Sequence, residues 1–271
     1  MTLTPPIHPP PARPLDGRTI VITGGAQGIG RGIAQAVLGA GGRVCIGDTD
    51  ADAGRAALEE WNVGDCALFL RVDVAREAQV ARFVQRARSH FGPVHGLVNN
   101  AGGTDPVNGP LEKLDLREWQ RRLGASLGGA FLCSKHLLPA LREAAGDGGA
   151  ASIVNIASTR AHQSEPDCEA YAAAKGGLVA FTHALAVSAG PGVRVNCISP
   201  GWIATDAWRK PTARRRPGLS RRDQAQHPAG RVGTPDDIGA LAVHLLSAAA
   251  GFTTGQEFIV DGGMTRLMRY D

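Results

Sequence analysis

Short apolar runs alternate with helical stretches along most of the chain. "RTIVIT" predicts a first strand, and the helix-like "IGRGIAQAVLGAG" comes after a glycine-rich turn. "RVCIGD" predicts a second strand, then "DADAGRAALEEW" a helix. "ALFLRVDV" and "EAQVARFVQRARSHFG" repeat the pair, and "VHGLVNNAG" reads as a fourth strand. A long helical stretch is expected from Leu116 to about Ala145. "ASIVNIAS" is a fifth strand, "YAAAKGGLVAFTHALAVSAG" a helix and "VRVNCISPG" a sixth strand. "PDDIGALAVHLLSAAAG" is a further helix and "EFIVDGG" a seventh strand. Strands that read as continuous apolar runs, each followed by an amphipathic helix, predict βαβ units. The fold expected is a single α/β domain: a doubly wound, Rossmann-like sheet of about seven parallel strands with helices on both faces. Ligands then belong at the carboxyl ends of the strands, near the topological switch point.

Residues 1–16 break the pattern. They hold six prolines and no apolar periodicity, which predicts a mobile or extended arm outside the domain of residues 17–271. The remaining composition changes little. Of the 271 residues, 43% are hydrophobic and 20% charged, enough to bury a core. The net charge of +4 comes with a local cluster of basic residues rather than a basic surface throughout, so a nucleic-acid partner is not expected. No run of 18 apolar residues suggests a membrane span, and the start lacks a charged segment followed by an apolar one. Five dispersed cysteines without CxxC spacing argue for reduced thiols, no disulfide framework and no metal site. Cytoplasm is the compartment expected.

"TGGAQGIG", Thr23 to Gly30, directly follows strand one and opens helix one. Glycines at 24, 28 and 30 let the backbone turn and approach a pyrophosphate, while the helix N-terminus offers amides and partial positive charge. Gln27 and Ile29 lie in the same loop. Asp48 closes strand two, 18 residues after Gly30, where a carboxylate can bond both ribose hydroxyls of NAD and repel a 2′-phosphate. The loop before Gly30 has no basic residue, so NAD is expected over NADP. Asp48 could instead serve as a helix N-cap, a role open also to Asp50. Asp73 and Val74, after strand three, are placed for the adenine edge. Asn99, Ala101 and Gly102, in "NNAG" at the end of strand four, suit the adenosine ribose.

Ser158 ends strand five, and Tyr171 and Lys175 follow in "YAAAK". Side chains four residues apart on a helix share a face. A tyrosine, with an ordinary pKa of about 10, is a poor base near neutrality. An ammonium one turn away, with the charge of an oxidised nicotinamide, favours the phenolate. Tyr171 then exchanges a proton with an alcohol or carbonyl while Ser158 holds the substrate oxygen.

These motifs together, with "PGWIAT" at Pro200 to Thr205, resemble the classical short-chain dehydrogenase/reductase family over roughly residues 15–265. The resemblance implies NAD(P)-dependent alcohol–carbonyl interconversion, Ser158, Tyr171 and Lys175 as catalytic residues, and Lys175 also on the nicotinamide ribose. It further implies that Pro200, Gly201, Ile203 and Thr205 hold the carboxamide, the last two by backbone and hydroxyl. A homotetramer is the family's common assembly. One position departs. Where the family carries an asparagine seven residues after a tryptophan, Ser126 stands here. In the family that residue supports a kink whose carbonyl holds a relay water.

Residues 202–230 are expected to cover the substrate. They carry Trp202, Trp208 and seven basic residues from Arg209 to Arg222, which could steer an anion or simply be solvated. Arg160, His162 and Cys168 are expected to line the substrate pocket. The function expected is an NAD-dependent oxidoreductase of a sugar or polyol, a hydroxysteroid-like ring or another cyclic alcohol. The alternatives are an NADPH-dependent 3-oxoacyl thioester reductase and a non-catalytic dinucleotide-binding sensor.

Overall fold

A computed structural model describes residues 13–103, 105–146 and 151–268. Most of the proline-rich arm expected at 1–16 lies outside the described residues. The chain runs β1 (Thr19–Thr23), α1 (Gly28–Gly39), β2 (Arg43–Asp48), α2 (Ala51–Trp61), β3 (Ala67–Arg71), α3 (Glu77–Phe91) and β4 (Gly96–Asn99). It continues with α4 (Leu116–Leu123), α5 (Gly129–Ala145), β5 (Ala151–Ile156), α6 (Glu169–Ala189), β6 (Val193–Pro200), α7 (Arg221–Ala225), α8 (Pro235–Leu246) and β7 (Glu257–Val260).

The strands form one parallel sheet in the order β3-β2-β1-β4-β5-β6-β7. The order reverses between β1 and β4, so a crevice opens there above the strand ends. Val21, Cys45, Leu97 and Ile153 pack on one face with side chains of α3 and α5. Their neighbours Ile20, Ile22, Ile46, Val98 and Val154 pack on the other with α1 and α8. This is the two-residue period of a strand, with both faces buried. Gly32 of α1 admits α8 closely, since a Cβ there would lie 2.4 Å from the Pro235 Cβ.

The helical stretch expected from Leu116 to Ala145 exists but is not regular. A π-helical turn, Gly124–Gly128, separates α4 from α5 and contains Ser126. Such a turn inserts an extra residue and redirects the helix beyond it.

Candidate active site

A cleft of about 1280 Å³ lies over the carboxyl ends of the strands, bordered by the glycine loop, the ends of β2 and β5, the residues after β4, α6 and the segment after β6. The loop owes its shape to its glycines. Gly24 and Gly28 have φ of +62° and +58°, a region that L side chains avoid. A Cβ on Gly30 would lie 2.1 Å from the Gly24 oxygen, so Gly30 packs the turn from behind and does not line the cleft. Asn100, the second asparagine of "NNAG", locks the loop: its Nδ2 donates to the Thr23 and Gly24 carbonyls at 3.1 and 3.0 Å.

Asp48 and Asp50 divide the roles that the sequence left open. Asp50 caps α2, accepting from the Asp52 and Ala53 amides. Asp48 lines the cleft, held by the Ala26 and Asp50 amides at 3.2 and 3.1 Å. Burial pushes its carboxyl above the usual range, against those bonds. Asp73, Val74, Ala101 and Gly102 border the same cleft, as do Gln27, Ile29, Gly201, Ile203 and Thr205. Thr205 faces the glycine loop, 3.6 Å from where a Gly28 Cβ would stand. Besides Gly30, two more expected cofactor residues lie elsewhere. Asn99 is buried and its Nδ2 donates to Ser134 and Asn155, tying β4 to β5 below the cleft. Pro200 ends β6 behind the cleft wall.

Ser158, Tyr171 and Lys175 converge on the cleft. Ser158 follows β5, and its Oγ accepts from the Arg160 amide at 3.2 Å. Tyr171 and Lys175 share one face of α6, with the ammonium 5.5 Å from the phenol ring centroid. Lys175 is 4% exposed and its Nζ donates to the Ile156 carbonyl at 2.8 Å. An ammonium so buried needs that fixed acceptor. Ser126 turns its Oγ toward Gly102, 2.6 Å from a Cβ built there, and the Lys175 Nζ lies 3.7 Å from the same point.

Of the residues expected to line the substrate pocket, Arg160 and Trp202 do so. The other three do not. His162 turns away to Glu257, Nε2 to Oε1 at 2.7 Å, because a half-buried carboxylate on β7 is its stronger partner. Cys168 is buried beneath Arg160, whose Nη1 donates to its Sγ at 3.1 Å. Trp208 ends a short 3-10 turn outside the lining.

Two cations of the segment after β6, Lys210 and Arg214, are engaged over the first βαβ unit. Lys210 donates from its amide to Gln27 Oε1 at 3.2 Å, and its Nζ reaches Asp50 at 2.8 Å. That pairing lowers the Asp50 carboxyl. Arg214 Nη2 lies 3.0 Å from both Glu60 oxygens, and buried Arg31 joins them at 2.8 Å.

The sequence profile of a family described as enoyl-(acyl carrier protein) reductase matches residues 24–265. The chain belongs to the classical short-chain dehydrogenase/reductase family. It is 46% identical over 260 residues to an uncharacterized oxidoreductase of Thermotoga maritima, covering 95% of this chain and 99% of that one. It is 40% identical to an L-fucose dehydrogenase of Oryctolagus cuniculus, covering 91% and 84%. An apo enzyme of Clostridium thermocellum superposes with a TM-score of 0.81 at 38% identity, covering 93% and 95%. The protein is an oxidoreductase of CH–OH groups that takes a nicotinamide dinucleotide.

Proposed function

We propose that this short-chain dehydrogenase interconverts a secondary alcohol and a ketone with NAD. The observation that carries the reading is the convergence of Ser158, Tyr171 and Lys175 on one cleft with the glycine loop. The residues present fit a dinucleotide. Gly28 leaves room for a pyrophosphate at the start of α1, and Thr205 faces it, while Gly24 lets the loop close on Asn100 and Ala101. Asp48 would take the adenosine ribose, Asp73 and Val74 the adenine, Lys175 and Tyr171 the nicotinamide ribose, and Ile203 and Thr205 the carboxamide. When bound, the nicotinamide accepts or returns the hydride.

The chain's own residues handle the proton. Ser158 donates to the substrate oxygen and fixes it beside Tyr171. The Tyr171 hydroxyl takes the alcohol proton in oxidation and returns one to the carbonyl oxygen in reduction. Lys175, pinned by the Ile156 carbonyl, stabilises negative charge as it develops on the Tyr171 oxygen without reorganising. The π turn at Gly124–Gly128 brings Ser126 near Lys175, where a water could resupply the proton.

Asp48 is the ground for NAD over NADP, since a carboxylate there repels a 2′-phosphate. Substrates to try first are sugars and polyols, with hydroxysteroid-like rings and simple cyclic alcohols beside them; the L-fucose relative favours the sugars. We place the enzyme in the cytoplasm, as a homotetramer. The test is NADH formation by the purified protein across such a panel. Wild type should turn over at least one alcohol, and Tyr171→Phe should abolish turnover while binding NADH almost as before. A Tyr171→Phe enzyme with most of its activity would end the reading.

A further inference from the structure

Few charged side chains line the cleft, and nearly all are accounted for. Asp48 and Asp73 stand at the ends of β2 and β3, and Lys175 is fixed on a carbonyl. Arg121 is closed by Glu118 through bonds of 2.6 and 2.7 Å. Arg209 lies with Asp206 at 3.7 Å, beside lid cations committed to Asp50 and Glu60. Arg209, Lys210, Arg214 and Arg215 are thus paired with the protein's own acids.

Arg160 is also paired, through Nη2 with Glu165 and through Nη1 with the Cys168 sulfur, but it differs in its place. It stands two residues after Ser158, on the short turn Thr159–Ala161, with its side chain 23% exposed. Burial works against its charge, but Glu165, Cys168 and Tyr171 outweigh burial, and the guanidinium is raised. It thus sits within electrostatic reach of the general acid/base. Its ionic partner, the Glu165 side chain, is 69% exposed and lines the same cleft. An exposed carboxylate held by one ion pair gains little from it and is readily exchanged. A guanidinium offers a planar fork of donors that matches a carboxylate in two bonds.

We propose that Arg160 is the anion-binding residue of the substrate pocket and that the substrate carries a carboxylate beside its reacting carbinol. Glu165 occupies here the place that this carboxylate takes. The inference rests on the function proposed above, because it identifies this part of the cleft as the substrate's. It narrows the substrate class to hydroxy acids and their oxo acids. The carboxylate is a handle and takes no part in hydride or proton transfer.

The test is binding by calorimetry to the enzyme–NADH complex. The probes are cyclohexanecarboxylate against cyclohexanecarboxamide, and galacturonate against galactose. At least one acid should bind roughly tenfold or more tightly than its neutral counterpart, the scale of a charge-assisted pair. Arg160→Gln should remove that difference and leave the neutral ligand and NADH unaffected. Arg160→Lys should retain part of it, and Glu165→Gln should tighten the acid further. Equal affinities for acid and neutral ligand, binding of neither, or an unchanged difference in Arg160→Gln would overturn the proposal. Wild-type turnover measured beside binding separates the two readings. An acid preference kept in a wild type without turnover sinks the hydride reading alone. Turnover with equal acid and neutral binding sinks this one alone.

Discussion

Asp48 and Asp50 stand two residues apart and do different work. Asp50 caps α2 and takes Lys210, so Asp48 is left to face the cleft. Asp48→Ala removes the charge that repels a 2′-phosphate and should narrow the NAD-over-NADP ratio of kcat/KM by roughly tenfold or more, about one charge-assisted contact. An unchanged ratio would mean that another residue sets the preference. Serine, tyrosine and lysine were legible because their order and the one-turn spacing of "YAAAK" are local properties. Lys210 was not, because it meets Gln27 across 183 residues and only the fold joins them. Asn99 misled for a related reason. "NNAG" marks the end of a strand, but the alternation of side chains along it decides which asparagine faces the loop. Asn99 points into the core and Asn100 to the glycines.

At the scale of elements, two helix starts hold the cofactor side together. The π turn between α4 and α5 carries Ser126 toward Gly102 and Lys175. No spacing in the sequence announces a π turn, since the extra residue changes the direction of a helix and not its composition. If the turn's backbone rather than the hydroxyl orders the relay water, Ser126→Ala should keep kcat within about threefold of wild type. A loss approaching the hundredfold typical of a general acid/base contact would place the hydroxyl itself in the relay. The start of α8 makes the second case. The Asp237 carboxylate accepts from the Thr234 amide and hydroxyl and pairs with both Arg231 nitrogens. Next to it, Gly233 bridges to Ile203, so this cap supports the segment of Ile203 and Thr205. Arg231 holds the Asp237 carboxyl down at about 2. Unfolded aspartate titrates near about 3.9. The pair's stabilisation is therefore complete above that value and is lost as pH falls toward about 2. Asp237→Asn should cost about 1–2 kcal/mol at neutral pH and flatten the acid limb of thermal stability below about pH 4. Melting curves parallel to wild type down to pH 2 would refute the assignment.

For the whole molecule, the order of apolar runs was enough to specify a parallel sheet, because each strand is buried on both faces and each crossover carries a helix. What the order could not specify is which helix sides remain uncovered. α6 is long and apolar enough, by length and composition, to span a bilayer, yet only 33% of its apolar window is buried. It holds Tyr171 and Lys175 over the sheet, and Arg142 of α5 donates to its Ser188 carbonyl at 2.9 Å. Its place is therefore in the domain, not across a membrane. The outward sides of these neighbouring helices bear Phe131 and Val187, 49% and 85% exposed. In the homotetramer proposed above, a second copy of the chain would cover them by symmetry. If the homotetramer proposed above buries both positions, the double variant Phe131→Glu with Val187→Glu should lower the assembly mass measured by light scattering, while cofactor binding persists. The isolated charges would be desolvated at the interface, which costs far more than the mutation costs a solvent-facing helix. An unaltered mass would show that α5 and α6 face solvent and that the copies meet elsewhere. In that case the uncovered side of α6 is simply the outer surface of a helix tied to β5 through Lys175 and the Ile156 carbonyl.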